Sequence, residues 1–92
     1  TYNKIFMTAV QLFPDNPVAN LNAACISLMQ RDVKSAGHYL EKAPEVPETA
    51  LAKGVLYLLK NQYEEAESFF RQAKAAGLSQ ADDNLKRILE LK

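Results

Sequence analysis

The chain has 92 residues, 48% of them apolar, with eleven basic side chains balanced by eleven acidic ones. That length supplies one domain's worth of core, too little for a doubly wound nucleotide fold or two independent cores. The charge balance excludes the basic footprint of a nucleic-acid binder and an anionic lipid surface as partner, and no stretch approaches the ~20 apolar residues that span a bilayer.

Taken in chain order, the punctuation predicts six helices. The first covers 2–13 and stops before Pro14. Asn16-Pro17 reads as an N-cap followed by proline at the first helical position and opens a helix over 17–30, with Leu21, Cys25 and Leu28 on one face. Asp32 is an N-cap candidate for a helix over 33–43. Its stripe Ala36, Leu40, Ala43 opposes the charged Glu41 and Lys42. Pro47 heads a helix over 48–60 that carries Leu51, Val55 and Leu58. Asn61 and Glu64 have capping-box spacing for a helix over 62–76, with Ala66, Phe70 and Ala73 inward and Glu64, Glu65, Glu67 and Arg71 outward. Gly77-Leu78 reads as a helix stop. Ser79 is an N-cap candidate for a last helix over 80–91, whose apolar face is Ala81, Leu85, Ile88 and Leu89. No alternating strand pattern competes with these.

The helices pair into repeats. An offset of thirty residues places Ala24 on Gly54, Ala36 on Ala66, Tyr39 on Phe69, Leu40 on Phe70 and Ala43 on Ala73. A partial upstream copy places Ile5, Phe6 and Ala9 on Tyr39, Leu40 and Ala43. Ala24 and Gly54 are small where paired helices must cross closely, and Tyr57 is expected to fill the gap beside them. The chain therefore reads as one domain, 1–92, made of a half repeat over 1–16, repeats over 17–46 and 47–80, and a C-terminal capping helix over 81–92.

This pattern resembles the tetratricopeptide repeat, with a Sel1-like flavour in Ala75-Ala76-Gly77-Leu78 followed by Ala81 and Leu85. The fuller copy is Ala50, Gly54, Tyr57, Ala66, Phe70 and Ala73; the weaker one is Asn20, Ala24, Ser27, Ala36, Leu40 and Ala43. The thirty-residue period is shorter than the family's ~34, so Pro44 to Pro47 must tighten the turn. The chain is also similar to helical tails of bacterial cell-envelope proteins. The resemblance implies an all-α fold of helix hairpins stacked as a short right-handed superhelical solenoid. The compartment stays open between the cytoplasm and the bacterial periplasm or cell envelope. The resemblance also implies a concave groove lined by the first helix of each unit: Val18, Leu21, Asn22 and Cys25, then Glu48, Leu51, Ala52 and Val55, then Asp82, Leu85, Lys86 and Leu89. An acidic peptide C-terminus, the family's best-known ligand, is not expected here, since only Asn22 and Lys86 suit such a clamp. The groove is apolar.

Enzyme chemistry finds no footing in the sequence, and no cofactor, metal or catalytic set is expected. The three glycines lie far apart and form no phosphate loop. His38, with Lys34 and Lys42 one turn away on either side, reads as solvated surface. Cys25 reads as a buried structural thiol without a basic neighbour to activate it, and one cysteine makes no internal disulfide. Asp82-Asp83 and Glu64-Glu65 read as favourable charge near helix N-termini. The expected role is a non-enzymatic interaction or scaffolding module whose groove takes a peptide or helix. The alternative is a structural spacer packed on an upstream domain of the same chain, or a homodimer. Those groove leucines also suit simple packing between units. Met7 and Val10 occupy positions that are Glu41 and Pro44, then Arg71 and Lys74, in the later copies. They are expected to be exposed and to contact upstream chain or a second copy through the first helix. A start at Thr1 without methionine reads as an excised piece, and the two apolar faces expected of the first helix, with a polar capping helix at the other end, point to the C-terminal module of a longer protein.

Overall fold

A computed structural model describes residues 2–91. Among them it forms six helices and no strand: α1 (Tyr2–Leu12), α2 (Pro17–Met29), α3 (Val33–Glu41), α4 (Pro47–Leu59), α5 (Tyr63–Ala75) and α6 (Gln80–Leu91). Each predicted helix is present, with ends displaced by no more than two residues. α4 and α5 begin thirty residues after α2 and α3. None of these helices is long and apolar enough to cross a membrane. The chain divides into two compact units, Thr1–Pro44 and Glu45–Lys92.

In the first unit α2 packs against both α1 and α3. Val10, Ala19 and Ala23 form a buried cluster, with Met7, Ala9 and Tyr39 packed against it. Alanines rather than leucines make these contacts, which lets the helix backbones approach closely. Asn16 caps α2 through its side-chain oxygen, which accepts from the Ala19 amide at 2.9 Å. Asp32 caps α3 by accepting from the Ser35 amide at 3.2 Å. Asn20 is buried, and its Nδ2 donates to the carbonyls of Pro14 and Asn16, both at 2.9 Å. It therefore ties the α1–α2 connection to α2.

The second unit is held by α4 against α5 and α5 against α6. Ala66, Phe70, Ala73, Ala81 and Ile88 are fully buried at its centre. Gly54 is needed here: a Cβ on it would lie 2.5 Å from the Phe70 ring. Phe70 thus fills the crossing beside Gly54, while Tyr57 stacks on Phe69 with centroids 5.4 Å apart. Lys74 reaches across to Asp82 at 2.9 Å, linking α5 to α6. Both side chains of that pair are substantially exposed, so it adds only ~0.2–1 kcal/mol, against ~3–5 lost on truncating a buried ring like that of Phe70 to alanine.

Three helices end in the same way. Arg31, Asn61 and Gly77 have φ of 60°, 61° and 99°. After α2, the Arg31 amide donates to Leu28 and the Asp32 amide to Ser27. After α4, Asn61 donates to Leu58 and Gln62 to Tyr57; after α5, Gly77 donates to Lys74 and Leu78 to Ala73. Each is a Schellman closure with a left-handed residue at its apex. The expected capping box is corrected by this geometry. Asn61 closes α4 instead of opening α5, whose N-cap is Gln62 without a side-chain cap bond. The Asn61 side chain accepts instead from the Tyr63 hydroxyl at 3.2 Å.

Candidate interaction surfaces

α2 contains no charged residue from Pro17 to Met29. Such a helix, uncharged on every side and mostly apolar, suits an interior, yet only one side of α2 is covered. Ala19, Asn20, Ala23, Ala24, Ile26, Ser27 and Leu28 are buried. Opposite them Val18, Asn22, Cys25 and Met29 follow helical spacing, with Val18 60% and Met29 76% exposed. Leu21 and Asn22 are half-buried at the margin. Of the four groove residues expected on α2, Val18 and Cys25 therefore share one accessible face, with Leu21 and Asn22 at its edge. Met29 extends it by a turn and was missed because it stands next to the helix stop.

Cys25 corrects the sequence reading. It was expected inside the core and lies on the exposed face. The i, i+4, i+7 relation to Leu21 and Leu28 is real, but the buried arc of α2 is centred about one residue to the side, on its alanines. Neighbouring atoms still desolvate the sulfur partly and push the thiol's pKa up.

Met7 and Val10 are corrected in the opposite sense. Val10 is only 5% exposed, and Met7 is half-buried against the Val10–Ala19–Ala23 cluster. Both lie on the face of α1 that meets α2. The apolar residues that do project from this region are Ile5, Leu12 and Phe13.

In the second unit the expected groove positions separate. Leu51, Val55 and Leu85 are half-buried and converge on the Phe70–Ile88 cluster, where they pack. Glu48 is exposed in the first turn of α4. Lys86 is exposed on α6 among Asp83, Asn84, Arg87 and Glu90, around an open recess of about 440 Å³. Leu89 was expected on the inner face of α6 and is 69% exposed. Ala81, Leu85 and Ile88 keep i, i+4, i+7 spacing, and Leu89 falls one residue, ~100°, out of that line.

An open cleft of about 430 Å³ lies elsewhere on this unit, at the start of α4 and the end of α5. Its apolar wall includes Val46, Pro47, Ala50, Phe69 and Ala76, and its polar residues are Glu45, Thr49, Lys53 and Gln72. None of the expected groove residues lines it. Lys53 holds its ammonium 5.8 Å from the Phe69 ring centroid, and Lys60 lies 5.3 Å from that of Tyr57. The stacked ring pair is therefore flanked by a cation at each end. The Thr49 hydroxyl is buried without a hydrogen-bond partner.

Among the described residues no three His, Cys, Asp or Glu side chains gather as metal ligands do. His38 is exposed, with its ring 5.9 Å from that of Tyr39. Asp82 pairs with Lys74 rather than with Asp83. No protein-family model, curated protein or solved structure matches the chain.

Proposed function

We propose that this protein is a non-enzymatic interaction module of the helical-hairpin repeat kind, related in design to tetratricopeptide or Sel1-like repeats. In this reading the uncharged face of α2 receives an apolar helix or peptide from a protein partner. The observation that carries it is the pairing of composition and exposure on α2: thirteen residues without a charge, with Val18, Cys25 and Met29 open to solvent. Exposed apolar surface of this kind marks contact sites. The thirty-residue correspondence of α2–α3 with α4–α5, down to the same closure at Arg31 and Asn61, supports the repeat design. The right-handed solenoid arrangement belongs to the same proposal.

The test is a pull-down from host lysate with the wild-type chain and a Val18→Asp/Met29→Asp variant. Both positions are exposed, so the variant should keep the wild-type circular dichroism spectrum and melting temperature. A protein retained by the wild type and lost from the folded variant supports the proposal. Equal retention by both, or none by either, favours the spacer. A mass that doubles with concentration only in the wild type favours a homodimer through this face. Leu51 and Val55 would serve the test poorly, because aspartate there enters the core of the second unit.

A further inference from the structure

We propose that the cleft between the start of α4 and the end of α5 is a second, separate binding site. Its ligand is an Asp or Glu side chain carried beside an apolar residue on a partner peptide segment. The site lies within the second unit and does not depend on the α2 face. Its volume of about 430 Å³ falls in the ~300–1,000 Å³ range of small-ligand sites.

Lys53 supplies the charge recognition. It is half-buried, its ammonium sits over Phe69, and no described carboxylate lies within ion-pair distance of it. Phe69 is itself fixed by its stacking on Tyr57. A lysine partly withdrawn from water, backed by a fixed ring and lacking an anion, is prepared for one. A charge-assisted hydrogen bond to a carboxylate is the strongest contact it can make.

Thr49 is the independent observation. It is among the residues that line the cleft and is 4% exposed, yet its buried Oγ1 has no partner. A buried hydroxyl left unpaired is destabilising, and such groups are rare in folded proteins. Threonine in a helix populates two χ1 rotamers. Rotation to the other sacrifices no hydrogen bond here and can turn the hydroxyl toward a ligand oxygen.

Glu45 selects the source of the carboxylate. It lines the same cleft without pairing with Lys53 and opposes any carboxylate there, so an anion with no further contacts is held poorly. A peptide segment brings backbone N–H groups that Glu45 can accept from, while its apolar residue covers Val46, Ala50 and Ala76. Gln72 provides an amide that serves either polarity of the backbone.

The experiment titrates the full chain, followed by amide NMR, with N-acetyl-leucyl-glutamic acid amide or its glutamine isostere; both blocked peptides lack a free terminus. At about 10 mM, a range suited to the weak affinity of so small a probe, the glutamate peptide should displace the Thr49, Ala50, Lys53 and Ala76 amides. Its apparent affinity should exceed that of the glutamine peptide by about threefold or more, as one charge-assisted contact requires. Lys53→Met keeps the aliphatic stem and should reduce the response to the glutamine level. Thr49→Val should melt higher and respond more weakly. Equal response to the two peptides, shifts elsewhere, no response at the solubility limit, or full response in Lys53→Met would each overturn the site. Full response in Thr49→Val would overturn the role of the hydroxyl.

Discussion

Arg31, Asn61 and Gly77 occupy one backbone role with three different side chains. A left-handed conformation costs a side chain such as that of arginine ~1–2 kcal/mol, asparagine less, and glycine almost nothing. Arg31→Gly should therefore raise stability by up to about 1 kcal/mol, read from a urea melt, whereas Gly77→Ala should lower it by a similar amount. Gly54 is under the opposite constraint, since its limit is space. Gly54→Ala drives a methyl into the fully buried Phe70 and should cost about 1–3 kcal/mol. Were Gly54→Ala neutral, the close α4–α5 crossing would be wrong. Asp32 provides a pH signature. The side-chain and backbone hydrogen bonds from Ser35 hold its carboxyl below the usual range. A depressed folded pKa means that the contribution is present above the unfolded value, near pH 3.9, and is lost as pH falls through the lower folded value. Asp32→Asn keeps a capping oxygen and should remove that part of the acid dependence. An unchanged acid limb would show that the cap is not formed.

Helix positions were legible from the sequence because their ends carry local chemistry. Asn16-Pro17, Asp32 and Gly77 act through neighbours three or fewer residues away, so no tertiary information is needed to read them. Inner faces were legible where the stripe is unambiguous: Ala66, Phe70 and Ala73 are all fully buried. They were misread where a helix carries no charge on any side. α2 offers several apolar arcs, and the choice among them falls to close packing by alanines, which a scale of hydrophobicity ranks below leucine. That is how Cys25 was placed inside, while Met7 and Val10 were placed outside by comparison with Glu41, Pro44, Arg71 and Lys74 in the other copies. Asn20 illustrates what local pattern misses altogether, a buried amide serving two carbonyls of a turn. Asn20→Ala should cost about 1–3 kcal/mol, the loss of two hydrogen bonds from a buried amide, and the chevron or equilibrium melt should show it. A loss below about 0.5 kcal/mol, a typical surface value, would mean that the carbonyls are satisfied otherwise.

At the scale of the molecule, the conspicuous property is how much large apolar surface stays open on a chain with no net charge. Ile5, Leu12, Phe13, Val18 and Met29 in the first unit, with Leu89 and Leu91 in the second, all face solvent. The candidate site was only half legible: the resemblance pointed to the first helices of each repeat, and on α2 two of the four residues, Val18 and Cys25, are open. On α4 and α6 Leu51, Val55 and Leu85 serve the core, drawn inward by Phe70 and Ile88, while Glu48, Lys86 and Leu89 stay exposed. Cys25 offers a direct probe of the remaining face, being the only cysteine and exposed there. Its raised pKa slows alkylation relative to a free thiol at neutral pH but leaves it reactive in the folded chain; complete protection from iodoacetamide would contradict the exposure. The central measurement is photocrosslinking from a benzophenone maleimide attached to Cys25, in host lysate. The account predicts one discrete protein adduct, competed away by unlabelled wild-type chain and not by the folded Val18→Asp/Met29→Asp variant. No discrete adduct, or one that the variant competes equally well, would contradict it.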